Sequence, residues 1–129
     1  MIYWNFFISN IMKYYFSKQS YRDYLKSDYW ISFSKQLKIV FGNRCWFCRR
    51  GDCALNVHHT RYYKKTVFSN RNPKNNTRWF LVLCKSCHKS IHELQKEKHL
   101  EIYNATKEFR DMYYPKRRMY ITKYDKKHL

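Results

Sequence analysis

A chain of 129 residues, of which 28% are charged and 44% hydrophobic, can form one small domain with a modest apolar core. Its 27 Lys and Arg against 9 Asp and Glu give a formal net charge of +18, which favours a polyanionic partner, most commonly nucleic acid. The acids form no cluster of the kind that carboxylate-based nucleases need. A core of this size usually requires a metal for stability.

The first 16 residues are apolar, but they lack a basic start and a small-residue cleavage site, so we do not expect an export signal. The run is also too short to span a bilayer. We therefore expect an intracellular protein without a membrane partner. Residues 1–19 are treated as an N-terminal extension.

Helical spacing of apolar residues over 21–41 predicts a helix, with Ser27 as its N-cap, Asp28 in its first turn and Gly42 at its end. Later elements follow in chain order: an extended run Ala54–His59, a turn-rich basic loop over about 60–78, a buried strand Trp79–Leu83, a helix from Lys85 to about His99, and an amphipathic stretch over about 100–114 that Pro115 stops. We expect the last 15 residues to be loosely held.

Four of the five cysteines form two CxxC pairs, Cys45/Cys48 and Cys84/Cys87. Two such pairs supply the four sulfur ligands of a closed, structural zinc site, and an odd fifth cysteine argues against a disulfide framework. We interpret that fifth residue, Cys53, as an inert side chain near the first pair.

Four of the six histidines lie at His58, His59, His88 and His92. His88 and His92 are one helical turn apart and share a face, which is rotated by about 100° from the face of Cys87. His58 and His59 are neighbours in an extended segment and face opposite sides. One of them can join His88 and His92 on a second metal with an open position, and the other can act as a base.

Another interpretation makes His88 and His92 ligands of the structural zinc, as in a zinc finger. That arrangement would leave Cys84 and Cys87 unused, so we do not favour it.

Three segments together resemble the motif of HNH endonucleases, also called ββα-metal nucleases: Leu55–His59, Leu81–Leu83 and Cys84–His92. The helix before them is similar to the lead-in of many phage and bacterial members. The resemblance covers about residues 20–95. It implies a small α+β, zinc-stabilised, treble-clef-like domain over 20–99 with flanking helices, including a C-terminal helix and basic tail over 100–129.

By the resemblance, His58, His88 and His92 bind a catalytic divalent ion (Mg, Mn, Ni or Zn), and His59 is the general base that activates water. Cys45, Cys48, Cys84 and Cys87 hold the structural zinc. The chain departs from the family at Trp79, where members usually have an Asn or Asp that braces the loop between the strands. Asn75, Asn76 or Thr77 are alternative braces.

Basic residues of the loop and tail are candidates for phosphate contacts on nucleic acid: Arg61, Lys64, Lys65, Arg78, Lys116, Arg117 and Arg118. The resemblance implies hydrolysis of phosphodiester bonds in DNA, most commonly double-stranded, with no small-molecule substrate. The competing hypothesis is a zinc-stabilised, basic nucleic-acid-binding module without catalytic activity, which Trp79 favours.

Overall fold

The structure, a computed structural model, describes residues 22, 23, 25–60, 78–122 and 125. Three helices and two strands lie in this part of the chain: α1 (Asp28–Val40), β1 (Leu55–His59), β2 (Phe80–Cys84), α2 (Lys85–Lys98) and α3 (Ile102–Tyr113). The predicted α+β class is confirmed. No helix within the described ranges is long and apolar enough to cross a membrane.

Helix α1 begins where its capping residue predicts. The Ser27 side chain accepts a hydrogen bond from the backbone N–H of Trp30 at 3.2 Å, and Asp28 lies in the first turn, where a negative charge is favourable. The chain leaves the helix through Gly42, whose φ of 72° suits glycine. Phe33 and Leu37 are the buried residues that hold α1 on the core.

Strands β1 and β2 form an antiparallel pair in which His58 faces Leu81 and His59 faces Phe80 across the ladder. All five residues of β2 are buried, which explains its unbroken apolar sequence. Both strands are within one residue of their predicted bounds. Because β2 runs one residue further than predicted, Cys84 is both the last strand residue and the N-cap of α2, and its Sγ accepts from the N–H of Cys87 at 3.4 Å.

One hydrophobic core extends from α1 through the sheet to α3, including Ile102, Ala105 and Phe109. The expectation of a loosely held tail is wrong for residues 115–122. Met119 and Ile121 are only 6% and 4% exposed, because the segment returns to the core after Pro115.

The Trp46 side chain anchors this returning segment. Its Nε1–H donates to the carbonyl of Arg118 at 2.8 Å, and Arg117 Nε donates to the carbonyl of Trp46 at 2.8 Å. The guanidinium carbon of Arg117 also lies 4.3 Å from the centre of a Trp46 ring. A cation–π contact and two long-range hydrogen bonds therefore fix the start of the tail.

Candidate metal centres

The four cysteines of the two CxxC pairs lie together at the start of α2. Their Sγ atoms are all within 4.8 Å of one another, and Cys48 Sγ is 3.7 Å from Cys84 Sγ. A tetrahedral zinc with Zn–S bonds of about 2.3 Å requires sulfur separations of about 3.8 Å. These cysteines can therefore bind a structural metal such as zinc. We call them the cysteine cluster.

The cysteines of the cluster influence one another's protonation. A hydrogen bond from Cys87 is the main cause that lowers the pKa of Cys45 to about 4, while the same bond, burial and the charge of Cys45 raise the pKa of Cys87. Burial also raises the pKa of Cys48. One thiolate thus forms at the expense of its neighbours, and a bound cation is what would let all four sulfurs lose their protons.

The rings of His58, His88 and His92 converge between β1 and α2. The ring centres of His58 are 5.1 Å from His88 and 5.5 Å from His92, and one nitrogen of each of the three rings lies within 4.8 Å of the others. We call these residues the histidine cluster. None of the four cysteines belongs to the histidine cluster, so the alternative in which His88 and His92 bind the structural zinc is wrong. The helix face that these two histidines share turns away from Cys87, as their spacing predicts.

The hydrogen bonds around His58 determine which of its nitrogens carries the lone pair. Thr106 Oγ1 donates its proton to the carbonyl of Ile102 at 2.6 Å, so it accepts from His58 Nε2–H at 2.9 Å. The lone pair of the neutral ring is then on Nδ1. Among the described residues this buried atom has no hydrogen-bond partner, as expected of a nitrogen that can bind a metal.

The rings of His88 and His92 face each other through their Nε2 atoms at 3.0 Å. Since His92 Nδ1–H donates to Gln95 Oε1 at 3.1 Å, the Nε2 of a neutral His92 carries a lone pair directed at His88. Asn56 makes a longer contact of 3.5 Å with His88 Nδ1. All three rings thus have a polar side chain on one nitrogen and their other nitrogen available to the cluster, a pattern typical of metal-binding histidines.

Burial keeps these imidazoles neutral, as metal ligation requires. It lowers the pKa of His58 well below its ordinary value and the pKa of His88 to about 4, with repulsion from the neighbouring rings as the second cause. The pKa of His92 is lowered by burial too.

His59 faces the opposite side of β1, as predicted from strand alternation. Its ring stacks on Trp30 with centres 5.2 Å apart and packs on Phe80 at 5.0 Å, and the residue is 3% exposed. Burial, followed by repulsion from His88, lowers the pKa of His59 to about 3. Aromatic packing replaces water around the ring, so His59 in this environment is a weaker base than an ordinary imidazole.

The predicted phosphate-binding residues have different environments. Arg78 is exposed and its guanidinium lies 5.2 Å from the centre of the Trp79 ring. Lys116 is exposed, Arg117 is fixed on Trp46, and Arg118 forms an ion pair with Asp125 at 2.6 Å. Arg61, Lys64 and Lys65 lie outside the described residues, as do the alternative braces Asn75, Asn76 and Thr77.

Trp79 stands at the position where HNH endonucleases usually have Asn or Asp. It is half-buried, and its backbone carbonyl accepts a hydrogen bond from the N–H of Thr60 at 2.9 Å. This backbone bond continues the hairpin ladder beyond β1. A main-chain contact therefore ties together the two sides of the loop base in this chain.

Three polar residues that contact the histidine cluster were missed in the sequence. Asn56 lies two residues before His58 on the same strand face, and Gln95 lies three residues after His92 on the same helix face, so both positions had a local signal. Thr106 had none, because it approaches His58 only through the packing of α3.

Comparison of the chain with protein-family models, with curated proteins and with solved structures finds no match.

Proposed function

We propose that the protein is a metal-dependent endonuclease of the HNH type that hydrolyses phosphodiester bonds in DNA. The single observation that carries the proposal is the histidine cluster: three neutral imidazoles converge, two of them buried (His58 and His92) and one half-buried (His88), and the other nitrogen of each contacts a polar side chain. A metal ligand set is the simplest account of a buried His58 Nδ1 that finds no hydrogen-bond partner in the described part of the chain.

The chemistry of this donor set narrows the choice of divalent ion. Three imidazole nitrogens suit zinc, nickel and other transition ions, whereas magnesium prefers oxygen ligands. His58 would bind through Nδ1, and His88 and His92 through Nε2. His88 would then carry its proton on Nδ1, where a rotated Asn56 amide could accept it.

The histidines have two roles in the proposed reaction. His58, His88 and His92 orient the ion, which when bound supplies neutralisation of charge on the phosphate and the leaving 3′ oxygen. His59 is neutral at pH 7 and accepts the proton of the attacking water. A phosphodiester anion beside His59 would raise its low pKa by electrostatic attraction and so make it a stronger base.

The net charge of +18 supports double-stranded DNA as the substrate, since contacts to phosphate supply most of the affinity for a duplex. The scarcity of clustered acids supports a histidine-based site over a carboxylate-based one.

Plasmid nicking tests the proposal. Zinc-loaded protein is incubated with supercoiled plasmid after the weakly held divalent ions are removed, and then with added zinc, nickel, manganese or magnesium. Nicking should appear only with a divalent ion, and transition ions should be the most effective. No nicking with any of these ions, from protein that still binds DNA, would contradict the proposal.

A second function is favoured by one specific observation, the burial of His59 between Trp30 and Phe80. A base that is 3% exposed cannot reach a substrate water without a rearrangement of its surroundings. If none occurs, the protein is a zinc-stabilised nucleic-acid-binding module. It would then retard DNA in a gel with or without added divalent ion and leave the plasmid supercoiled.

A further inference from the structure

The turn between α1 and β1 forms a cleft of about 510 Å³, lined by residues 42–44 and 48–52. Its two sides are held together by hydrogen bonds from Cys45 N–H to the carbonyl of Arg50 at 2.8 Å and from Arg44 Nη1 to the carbonyl of Arg49 at 3.1 Å. At Gly51 the sides are so close that a Cβ would lie 3.2 Å from the carbonyl oxygen of Asn43. The cleft is therefore a built part of the fold beside the cysteine cluster.

Its lining is strongly basic. Arg44, Arg49 and Arg50 line the cleft together with one acid, Asp52. The Arg50–Asp52 pair is 3.5 Å apart and its side chains are 59% and 84% exposed, so that solvent screens the attraction. Three cations against one weakly paired acid create a positive potential that favours an anion.

Arg49 occupies a backbone position that glycine would occupy at no steric cost. Its φ is 66°, in the left-handed region where a side chain is unfavourable. Its Nη1 is buried, and the described residues offer this atom no hydrogen-bond acceptor. A strained residue that also buries an unsatisfied charged donor points to a function for its side chain.

Arg117 repeats this feature next to Arg49. Its Nη2 is likewise buried without an acceptor among the described residues, and its contacts with Trp46 prevent the guanidinium from turning away. Trp46 directly follows Cys45, whose N–H closes the cleft on Arg50, so Arg117 lies beside the cleft. Burial, with repulsion from Arg49 as the second cause, lowers the pKa of Arg117. An oxyanion with several acceptor oxygens would relieve both the repulsion and the missing hydrogen bonds.

We propose that Arg44, Arg49 and Arg50, with Arg117 beside them, form a phosphate-binding site on the turn of the first CxxC pair. The inference rests on the proposed action on DNA to the extent that a backbone phosphodiester is the expected ligand. Free phosphate offers the same chemistry. The arginines could instead neutralise the negative charge of a zinc–thiolate centre. Their substitution would then leave phosphate binding unaffected.

The Arg49→Gly variant separates these roles, since glycine suits the φ of this position while the guanidinium is lost. Equilibrium binding of a labelled duplex, measured over a range of salt concentrations without added divalent ion, should weaken for all sequences alike. The slope of log K against log salt should fall in magnitude by about 1, the value for one lost phosphate contact. Arg49→Lys should keep most of the slope, and Lys96→Gln, which removes an exposed charge of α2, serves as the matched control.

Two further measurements on the same proteins identify the ligand. The first is calorimetric titration with inorganic phosphate, and free phosphate is the ligand if Arg49→Gly lowers the affinity for phosphate but not the affinity for the duplex. The nucleic-acid backbone is the ligand if Arg49→Gly lowers the affinity for the duplex. The inference is overturned if both affinities equal those of the parent, or if Arg49→Gly changes only the zinc content found by native mass spectrometry. Because binding rather than cleavage is measured, an inactive nuclease would not alter either result.

Discussion

The cysteine cluster and the histidine cluster meet on α2, where Cys87 and His88 are consecutive residues. Their surroundings differ. Cys45, Cys84 and Cys87 belong to the hydrophobic core, whereas each ring of the histidine cluster contacts a polar side chain, including the buried Gln95 and Thr106. One helix therefore supports an apolar cluster of four sulfurs and a polar cluster of three imidazoles that are individually oriented.

This difference supports the proposed division of labour between the two clusters. A metal on four thiolates would have no open position and would only stabilise the fold, while three imidazoles would leave a tetrahedral ion one position for water or phosphate. The arrangement also links the two sites physically, because the cysteine cluster fixes the first turn of α2 and thereby the direction of His88.

Loss of the cysteine cluster should have the largest effect. In Cys84→Ser one sulfur ligand is lost while the serine hydroxyl can still cap α2, so the variant isolates the role of the metal. A structural zinc contributes on the order of 10 kcal/mol to folding. We expect zinc to be lost and the domain to unfold, as measured by native mass spectrometry and circular dichroism. Cys53→Ser is the control, since Cys53 lies outside the cluster, and it should keep both zinc and fold. A Cys84→Ser protein with the zinc and melting temperature of the parent would contradict the structural role.

His59→Phe tests whether His59 acts as the base or only packs. Phenylalanine keeps the stacking with Trp30 and Phe80 but has no nitrogen, so fold, metal content and DNA affinity should change little. Loss of a positioned base should slow plasmid nicking by about 10²–10⁴-fold. In His88→Ala, by contrast, the second metal should be lost, as calorimetry would show, and excess divalent ion should restore part of the rate. Nicking by His59→Phe at the rate of the parent would show that His59 is only a packing residue.

Local pattern was enough to predict much of this structure. The cap of α1, both strands and α2 followed from short-range signals, and so did the separation of the two clusters, because helical spacing sets His88 and His92 apart from Cys87. The environment of His59 could not be predicted in this way, since Trp30 reaches it only through the packing of α1 on the sheet. The burial of Met119 and Ile121 depends likewise on a distant partner, Trp46.

The smallest predicted effect concerns Thr106, the hydrogen-bond partner of His58 that had no local sequence signal. Thr106→Val keeps the shape of the side chain but leaves His58 Nε2–H without its acceptor in a site that is 0% exposed. The ring can then take the other tautomer, with its proton on Nδ1, the atom proposed to bind the metal. Affinity for nickel or zinc at the second site should fall by about 10–100-fold in calorimetric titration of protein whose cysteine cluster is loaded, the range for such supporting contacts. Thr106→Ser keeps the hydroxyl and should retain most of the affinity, and ¹⁵N spectra of the imidazole should show Nε2–H in the parent and a mixture of tautomers in Thr106→Val. Equal metal affinity in the two variants would mean that the Thr106 hydroxyl does not orient His58. The histidine cluster would then differ from the cysteine cluster in its metal-binding atoms but not in having an orienting contact at His58.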